Sequence, residues 1–452
     1  LEEAEMGTEE IVPQPVKTIP AHFSTVHRAT AEDVEKVFGL EKPGYFYVGE
    51  PLDMEGIQIY LNLGRFVERS SGVFGKSGTG KTFLTRMLLA GIIQQNAAVN
   101  LVFDMHNEYG WEGKAERGHR VKGLKQLFQS RVAIFTLDEE SSRRRNIHPD
   151  FVVEISYDQI EPQDIEMLQQ IIGLSDAAIG TAYFLHKQWG KDWLRNFLEA
   201  DADLLKGMVE DYGQHSGVLS AMQRRLGILE RFHFLKPKTL DNSVQRILEY
   251  IDRGMSVVLE FGRYSNSLEA YILVANYLTR RIHDSYVRRI EKAMGDKSAE
   301  PPHLVITIEE AHKFLDERVA QHTIFGVIAR ELRKYNVTLL VVDQRPSGID
   351  EEVMSQIGTR VTCLLDNEAD IKAVLTGIAG AGQLREVLAR LDTRQQVLIL
   401  GHAVPMPVVI KTREYGTPEF YKALGYLDKE ELRVQLSENV ALLRGEETEG
   451  FE

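Results

Sequence analysis

The sequence predicts an α/β chain in which a mostly parallel sheet is covered by helices on both faces. Three observations lead there. A glycine-rich turn at residues 75–82 joins a short apolar stretch to a long apolar run, the order strand, turn, helix. Short runs rich in Val, Ile, Leu and Phe recur at 71–74, 99–103, 132–136, 256–261, 304–308, 338–342, 361–365 and 396–400. They are apolar at consecutive positions, as strands buried on both faces are. Helix-period segments separate most of them, so crossovers join the strands and set them parallel.

Bulk composition narrows the class. A chain of 452 residues has room for two or three domains. Its 43% hydrophobic and 27% charged residues match an ordinary globular protein. No apolar run approaches the ~20 residues of a membrane helix. The start, Leu1-Glu2-Glu3-Ala4-Glu5, is acidic where a signal peptide is basic and lacks Met. It leads us to expect a cytoplasmic protein whose natural start lies further upstream. The single cysteine, Cys363, excludes a disulfide framework and a cysteine-based metal site. A net charge of −14 argues against a surface coated for nucleic acid, but it is compatible with a basic internal channel.

Along the chain, residues 1–65 are polar and Pro-interrupted up to about 45, with strand patterns at 44–49 and 57–61. Two strands make no core, so this stretch reads as the tail of a small β domain. Residues 66–154 form the first part of the α/β core. The rhythm breaks over 155–252, where helix-period segments lie around 164–172, 181–197, 218–232 and 243–251, the pattern of an inserted helical subdomain. Its Phe184, Trp189, Trp193 and Phe197 have helical spacing, which makes them core and not a base-stacking platform. Residues 253–412 return to the α/β pattern, with a charged helix end and linker over 288–302. A helical tail, 413–452, runs out through Gly445-Glu446-Glu447 and is expected to end in disorder.

The turn reads Gly75-Lys76-Ser77-Gly78-Thr79-Gly80-Lys81-Thr82, with Phe83 continuing into the helix. Gly75, Gly78 and Gly80 permit positive φ and close approach, so that successive N–H groups point at an anion. Lys81 then reaches the β- and γ-phosphates and the Thr82 hydroxyl holds Mg²⁺. The helix N-terminus adds partial positive charge. This is the phosphate-binding P-loop, and it implies a nucleoside triphosphate with Mg²⁺.

A second element is Leu304-Val305-Ile306-Thr307-Ile308-Glu309-Glu310-Ala311-His312. An apolar strand delivers two acids at its carboxyl end, where open α/β sheets bind ligands. In a P-loop ATPase the first acid, Glu309, supports Mg²⁺ and the second, Glu310, polarises the attacking water. A third strand, 338–342, leads into Asp343-Gln344-Arg345-Pro346-Ser347. The Gln344 amide fits a sensor of the γ-phosphate and the water, while Pro346 ends the strand. An ordinary loop glutamine is the alternative reading. His106 and His312 lack metal-ligand spacing and read as hydrogen-bonded structural groups.

After the next strand comes Asp104-Met105-His106-Asn107-Glu108-Tyr109. On their own, Asp104 and Glu108 read as helix-capping or solvated acids. Together, however, the P-loop, Asp-x-His-x-Glu-Tyr, Glu-Glu-Ala-His and Gln-Arg-Pro-Ser, in this order, resemble the HerA-type ATPases of the HerA/FtsK superfamily, over roughly 44–410. The resemblance implies a RecA-like core with a helical insertion, an N-terminal β-barrel of which only a remnant is present, and a C-terminal segment that braces the neighbour. It also implies a homohexameric ring around double-stranded DNA, a translocase or helicase working with a nuclease such as NurA in end processing or repair. Alternatives are an ATP-gated scaffold for a defence effector, or a DNA pump for conjugation or packaging.

Carried over by position, the resemblance places Asp104 and Glu108 beside the nucleotide. It makes Arg69 and Arg333, with Arg330 as the fallback, trans residues facing the neighbour's γ-phosphate. A surface role is the alternative for either. Glu309 stands where Asp is commoner. Candidate DNA contacts are Lys114, Arg117, His119, Arg120 and Arg143-Arg144-Arg145, against a bland reading as solvated charge. No base-reading motif occurs.

Overall fold

The computed structural model of the protein describes residues 25 and 27–426, apart from 115–119, 213–214, 321–322, 379 and 393–394; at 114, 211–212 and 332–333 it describes the backbone only. Arg117, His119, the extreme N-terminus and the tail beyond 426 lie outside the described residues, as do the side chains of Lys114 and Arg333.

Twelve strands form one sheet. In chain order they are β1 (Tyr45–Pro51), β2 (Ile59–Asn62), β3 (Ser71–Phe74), β4 (Val99–Asp104), β5 (Val132–Thr136), β6 (Phe151–Val152), β7 (Ser256–Glu260), β8 (Leu304–Glu309), β9 (Val337–Asp343), β10 (Thr359–Thr362), β11 (Gln396–Gly401) and β12 (Val408–Thr412). Their order across the sheet is β2-β1-β12-β11-β10-β3-β9-β8-β4-β7-β5-β6. From β10 to β6 every pairing is parallel; β11, β12, β1 and β2 extend the other side antiparallel. The largely parallel α/β architecture is the expected one.

Alternating residues sort the core onto two faces. Leu101, Phe103, Ile306, Ile308, Leu339 and Val341 face one cluster, and Val102, Val305, Leu340 and Val342 the other. Helix α1 (Lys81–Gln94) lies on the second face and is buried from Leu84 through Ile93, which explains its apolar character all round. Helix α2 (Leu268–Ala293) starts at the N-cap Ser267, whose hydroxyl accepts the Ala270 N–H.

Residues 155–252 carry a succession of helices, including one over Ala202–Tyr212 that the sequence pattern did not single out. They pack on the first face, where Arg280 and Arg281 of α2 both pair with the buried Asp164. Trp193 and Phe197 are fully buried and Trp189 packs against them, as expected of core residues.

The strands expected as the tail of a separate β-barrel belong instead to the central sheet. β1 pairs antiparallel with β12, Gly49 opposite Thr412, and β2 pairs with β1. Phe46 lies against Gly91 of α1, where a Cβ would sit 2.7 Å from its ring. Phe46, Val48, Ile59 and Leu61 thereby share the core of α1, a burial two free strands do not find. The expected strand 361–365 stops at Thr362 for a local reason. Cys363 N–H donates to Phe74 O at 2.8 Å and Leu364 O accepts Lys76 N–H at 3.1 Å, so this segment leaves the ladder to hold the P-loop.

Candidate functional site

The parallel strands bring their carboxyl ends to one edge, and the expected motifs meet there. A cavity of about 310 Å³ is lined by the P-loop, Thr82, Phe83, His106, Glu108, Glu309, Glu310 and Gln344.

The P-loop geometry follows from its glycines. Gly78 and Gly80 have φ of 77° and 86°, left-handed conformations that only glycine adopts without cost. A Cβ on Gly75 would sit 2.7 Å from Cys363 Cβ, so glycine is needed where the loop passes the neighbouring strand end. Lys81 Nζ donates to Lys76 O at 2.8 Å, and Thr79 Oγ1 donates to the same carbonyl at 2.8 Å. Burial pushes the Lys81 ammonium below its usual range, against the pull of nearby acids. Lys76 is tied outward to Asp366 at 2.9 Å.

Asp104 and Glu108 take different parts. Asp104 is fully buried, and its carboxylate accepts the N–H groups of Glu108, Tyr109 and Gly110 at 2.7, 2.8 and 3.2 Å. It shapes the loop, with Asn107 at φ 57° completing the turn. Glu108 is the member that lines the cavity, and it accepts the Thr82 hydroxyl at 3.1 Å.

Glu309 ends β8 and is buried, 7% exposed as a residue. Tyr109 Oη donates to its Oε1 at 2.8 Å, while Oε2 has no protein partner. Burial first, then the charges of Asp104, Glu108 and Glu310, push this carboxyl up to about 8. The same burial raises the Tyr109 phenol well above its usual value. An orphaned buried carboxyl oxygen lining the same cavity as the Thr82 hydroxyl and Glu108 makes a hard-oxygen donor set, which fits a magnesium ion.

Glu310 has φ 50°, a strained conformation for a non-glycine residue. Its Oε1 accepts Gln344 Nε2 at 2.9 Å. His312 Nδ1 lies 2.9 and 3.1 Å from the two oxygens of Asp343. Asp343 is the residue the sequence reading passed over, although it stands directly before Gln344 on the same strand end. No group of three or more His, Cys, Asp or Glu arranged to hold a metal occurs among the described residues.

The arginines sit elsewhere. Arg69 follows the helix Leu63–Glu68 at the amino end of β3. Arg330 ends the helix Ile324–Glu331, and Arg333 lies in the turn Leu332–Tyr335 that leads into the amino end of β9. The P-loop leaves the carboxyl end of β3, and four residues of strand span about 13 Å. The backbone at Arg69 and Arg333 therefore lies towards the amino ends of β3 and β9, whereas the cavity lies at the carboxyl ends. Arg330 Nη2 donates to Ala320 O at 2.9 Å and its Nη1 is buried without a partner.

Of the candidate DNA contacts, Arg120 is exposed beside Glu112 at the base of a two-stranded ribbon, Gly113–Lys114 with Arg120–Val121. Arg143 pairs with Glu139 at 2.7 Å and Arg144 with Glu140, each one helical turn apart. Arg145 is committed to the fully buried Glu260 at 2.6 Å, which removes it from the candidates. Burial pushes the Glu260 carboxyl up to about 7, with Asp104 adding to the shift and Arg145 opposing it.

The C-terminal segment packs on its own chain as far as 426. Tyr415 Oη donates to Lys122 O at 2.7 Å and Lys122 N–H donates to Tyr421 Oη at 2.8 Å. Among the described residues no helix is long and apolar enough to cross a membrane.

Comparison with known proteins adds to this geometry. The chain is 26% identical over 398 residues to the DNA double-strand break repair helicase HerA of Saccharolobus solfataricus, covering 87% of this chain and 73% of that protein. It is 23% identical over 448 residues to the protein of the same name from Pyrococcus furiosus, covering 89% and 74%. Among solved structures, VirB4 of Thermoanaerobacter pseudethanolicus superposes with a TM-score of 0.53 at 14% identity, covering 84% of this chain and 99% of that one. The bacterial conjugative coupling protein TrwB superposes with a TM-score of 0.55 at 10% identity, covering 89% and 98%. These structural likenesses establish the RecA-like P-loop ATPase fold and nothing finer. The family model described as the helicase HerA central domain matches residues 46–282, just over half of the chain, and the protein belongs to that family.

Proposed function

We propose that this protein is an ATP- and Mg²⁺-dependent motor that assembles as a homohexamer and moves double-stranded DNA through its channel, working with a nuclease in the processing of broken ends. One observation carries the reading: a single cavity gathers Lys81, the Thr82–Glu108 pair, Glu309 and the Gln344-held Glu310, while the arginines lie at the far end of the sheet. The relatives named as double-strand break repair helicases supply the DNA substrate class.

In this reading the P-loop N–H groups receive the phosphates, and Lys81 leaves the Lys76 carbonyl to reach the β- and γ-oxygens. Thr82 and Glu309 hold the ion, with Glu108 orienting the Thr82 hydroxyl. Bound Mg²⁺ supplies neutralisation of the phosphate charge. Glu310 accepts the proton of the attacking water, and Gln344 orients both. Arg69 and Arg333 serve a neighbour's cavity, which makes hydrolysis depend on assembly. Lys114, Arg117 and Arg120 contact the DNA backbone; such binding is independent of sequence and falls steeply with salt.

The deciding experiment is native mass spectrometry with ATP and a DNA duplex, paired with steady-state ATPase assays. Six copies on one duplex and turnover raised by DNA are expected. A protomer that hydrolyses ATP at full rate alone, indifferent to DNA, overturns the reading.

A further inference from the structure

Glu310 is flanked by two groups, not one, and both are anchored at the end of β9. Gln344 Nε2 holds Oε1 at 2.9 Å. On the other side, His312 Nε2 faces Oε2 at 3.8 Å. We propose that His312 is a positioning residue for Glu310, and that Asp343 sets the imidazole for this task. The inference rests on the reading of Glu310 as the carboxylate that polarises water.

The imidazole is fixed on several sides. Both Asp343 oxygens lie within 3.1 Å of Nδ1, and Asp343 Oδ2 also accepts the His312 backbone N–H at 2.6 Å. Asp343 itself is fully buried and is held by the Arg345 N–H, which donates to Oδ1 at 2.6 Å. Because a carboxylate accepts, Nδ1 carries a hydrogen, and Nε2, the nitrogen turned towards Glu310, meets that carboxylate as a donor when the ring carries hydrogen on both nitrogens. Gly348 closes the remaining side: a Cβ there would sit 3.0 Å from His312 Cβ, so the residue packs against backbone.

Glu310 needs such support. Its φ of 50° turns it out of the strand direction, and Lys313 N–H donates to its carbonyl at 2.8 Å. Its side chain is 31% exposed, against 11% for His312 and none for Asp343. The most exposed member of the Glu310, His312, Asp343 set is therefore the carboxylate, and the members beneath it are buried. The 3.8 Å gap exceeds a hydrogen bond by about 1 Å. Contacts of this kind tighten when the reacting molecule is bound.

The test compares His312→Ala, His312→Gln, Asp343→Asn and Glu310→Gln in the full chain, reading kcat, KM for ATP, affinity for a fluorescent ATP analogue and Tm. His312→Ala is expected to lower kcat by ~10²-fold with KM and analogue affinity unchanged, since misplacing a reacting group by about 1 Å costs that much. His312→Gln, which places an amide N–H donor near the Nε2 position, is expected to recover about tenfold of the loss. Asp343→Asn keeps the ring but replaces one of the two accepting oxygens by an amide donor and removes the charge, and is expected to move kcat in the same direction as His312→Ala. If His312→Ala fails to fold, Asp343→Asn and His312→Gln decide by the same split. A kcat within twofold of wild type in both, or a loss of analogue affinity equal to the loss of kcat, overturns the proposal. Normal hydrolysis by Glu310→Gln overturns instead the reading of Glu310, and the two failures are thereby told apart.

Discussion

Thr82 Oγ1 donates to Glu108 Oε2 at 3.1 Å, joining the first turn of α1 to the loop after β4. The hydroxyl that the P-loop pattern assigns to magnesium is already oriented by an acid from another motif. Glu108 can take that place because Asp104, buried beneath it, accepts three successive N–H groups and bends the loop back. An acid that lines the cavity thus depends on an acid that never reaches it.

Replacing Glu108 with Ala leaves the fold intact, because the side chain is only half-buried and Asp104 still shapes the loop. The apparent affinity for magnesium is expected to fall ~10–100-fold, the usual loss when a partner that orients a metal ligand is removed. Titrating ATPase rate against Mg²⁺ at saturating ATP measures it. An unchanged midpoint removes Glu108 from the site.

Lys81→Ala is expected to abolish nucleotide binding, since the P-loop loses its reach to the β- and γ-phosphates. Glu310→Gln is expected to keep binding and lose ~10²–10⁴-fold in turnover, the range for a missing general base. Analogue binding and steady-state hydrolysis separate the two. Equal defects in both assays count against a base at Glu310.

Arg69→Ala and Arg333→Ala are each expected to lower turnover in assembled rings, by up to ~10³–10⁵-fold if the residue acts as a trans arginine. Mixed with wild type, the variant poisons rings beyond its share. Activity that falls in strict proportion to the fraction of variant speaks for a surface role.

Glu260 makes the stability of the nucleotide-free protein depend on pH. Its folded value of about 7 lies above its ordinary 4.5, so the native state keeps a proton that the unfolded chain releases. This contribution is fully present below about 4.5, is lost as pH rises towards about 7, and is flat above. The slope in that window approaches ~1.4 kcal/mol per pH unit for this one group. Denaturant melts of wild type and Glu260→Gln from pH 5 to pH 8 check it. The variant is expected to show the shallower fall, and identical slopes exclude Glu260 as the source.

Much of the site was legible because its chemistry is local. Three glycines in a turn, a lysine and threonine opening a helix, and two acids ending an apolar strand are set by backbone geometry within a few residues. The particular spacing of Asp104, Glu108 and Tyr109 added the loop to that set. Asp343 was missed because an acid at a strand end has no signature of its own. Its value comes from His312, thirty-one residues earlier, lying across the β8–β9 pair. Arg145 misled for the converse reason: three consecutive arginines look like a patch until Glu260 claims one of them. The barrel expectation failed likewise, since two strands with apolar alternation fit any sheet edge, and only the antiparallel pairing with β12 says which.

The sequence by itself determined the α/β class, the phosphate-binding turn and the identity of the two acids at the carboxyl end of β8. Those are properties of short stretches, where conformational preference and side-chain chemistry coincide. Which acids face the cavity, which are buried as braces, and which end of the sheet holds the arginines was decided only by tertiary structure. Parallel register puts Glu260 opposite Asp104 and Glu309 opposite Val342. Whether a carboxylate there meets water, a tyrosine or a guanidinium depends on strands far apart in the chain, and burial, not residue type, then sets its charge.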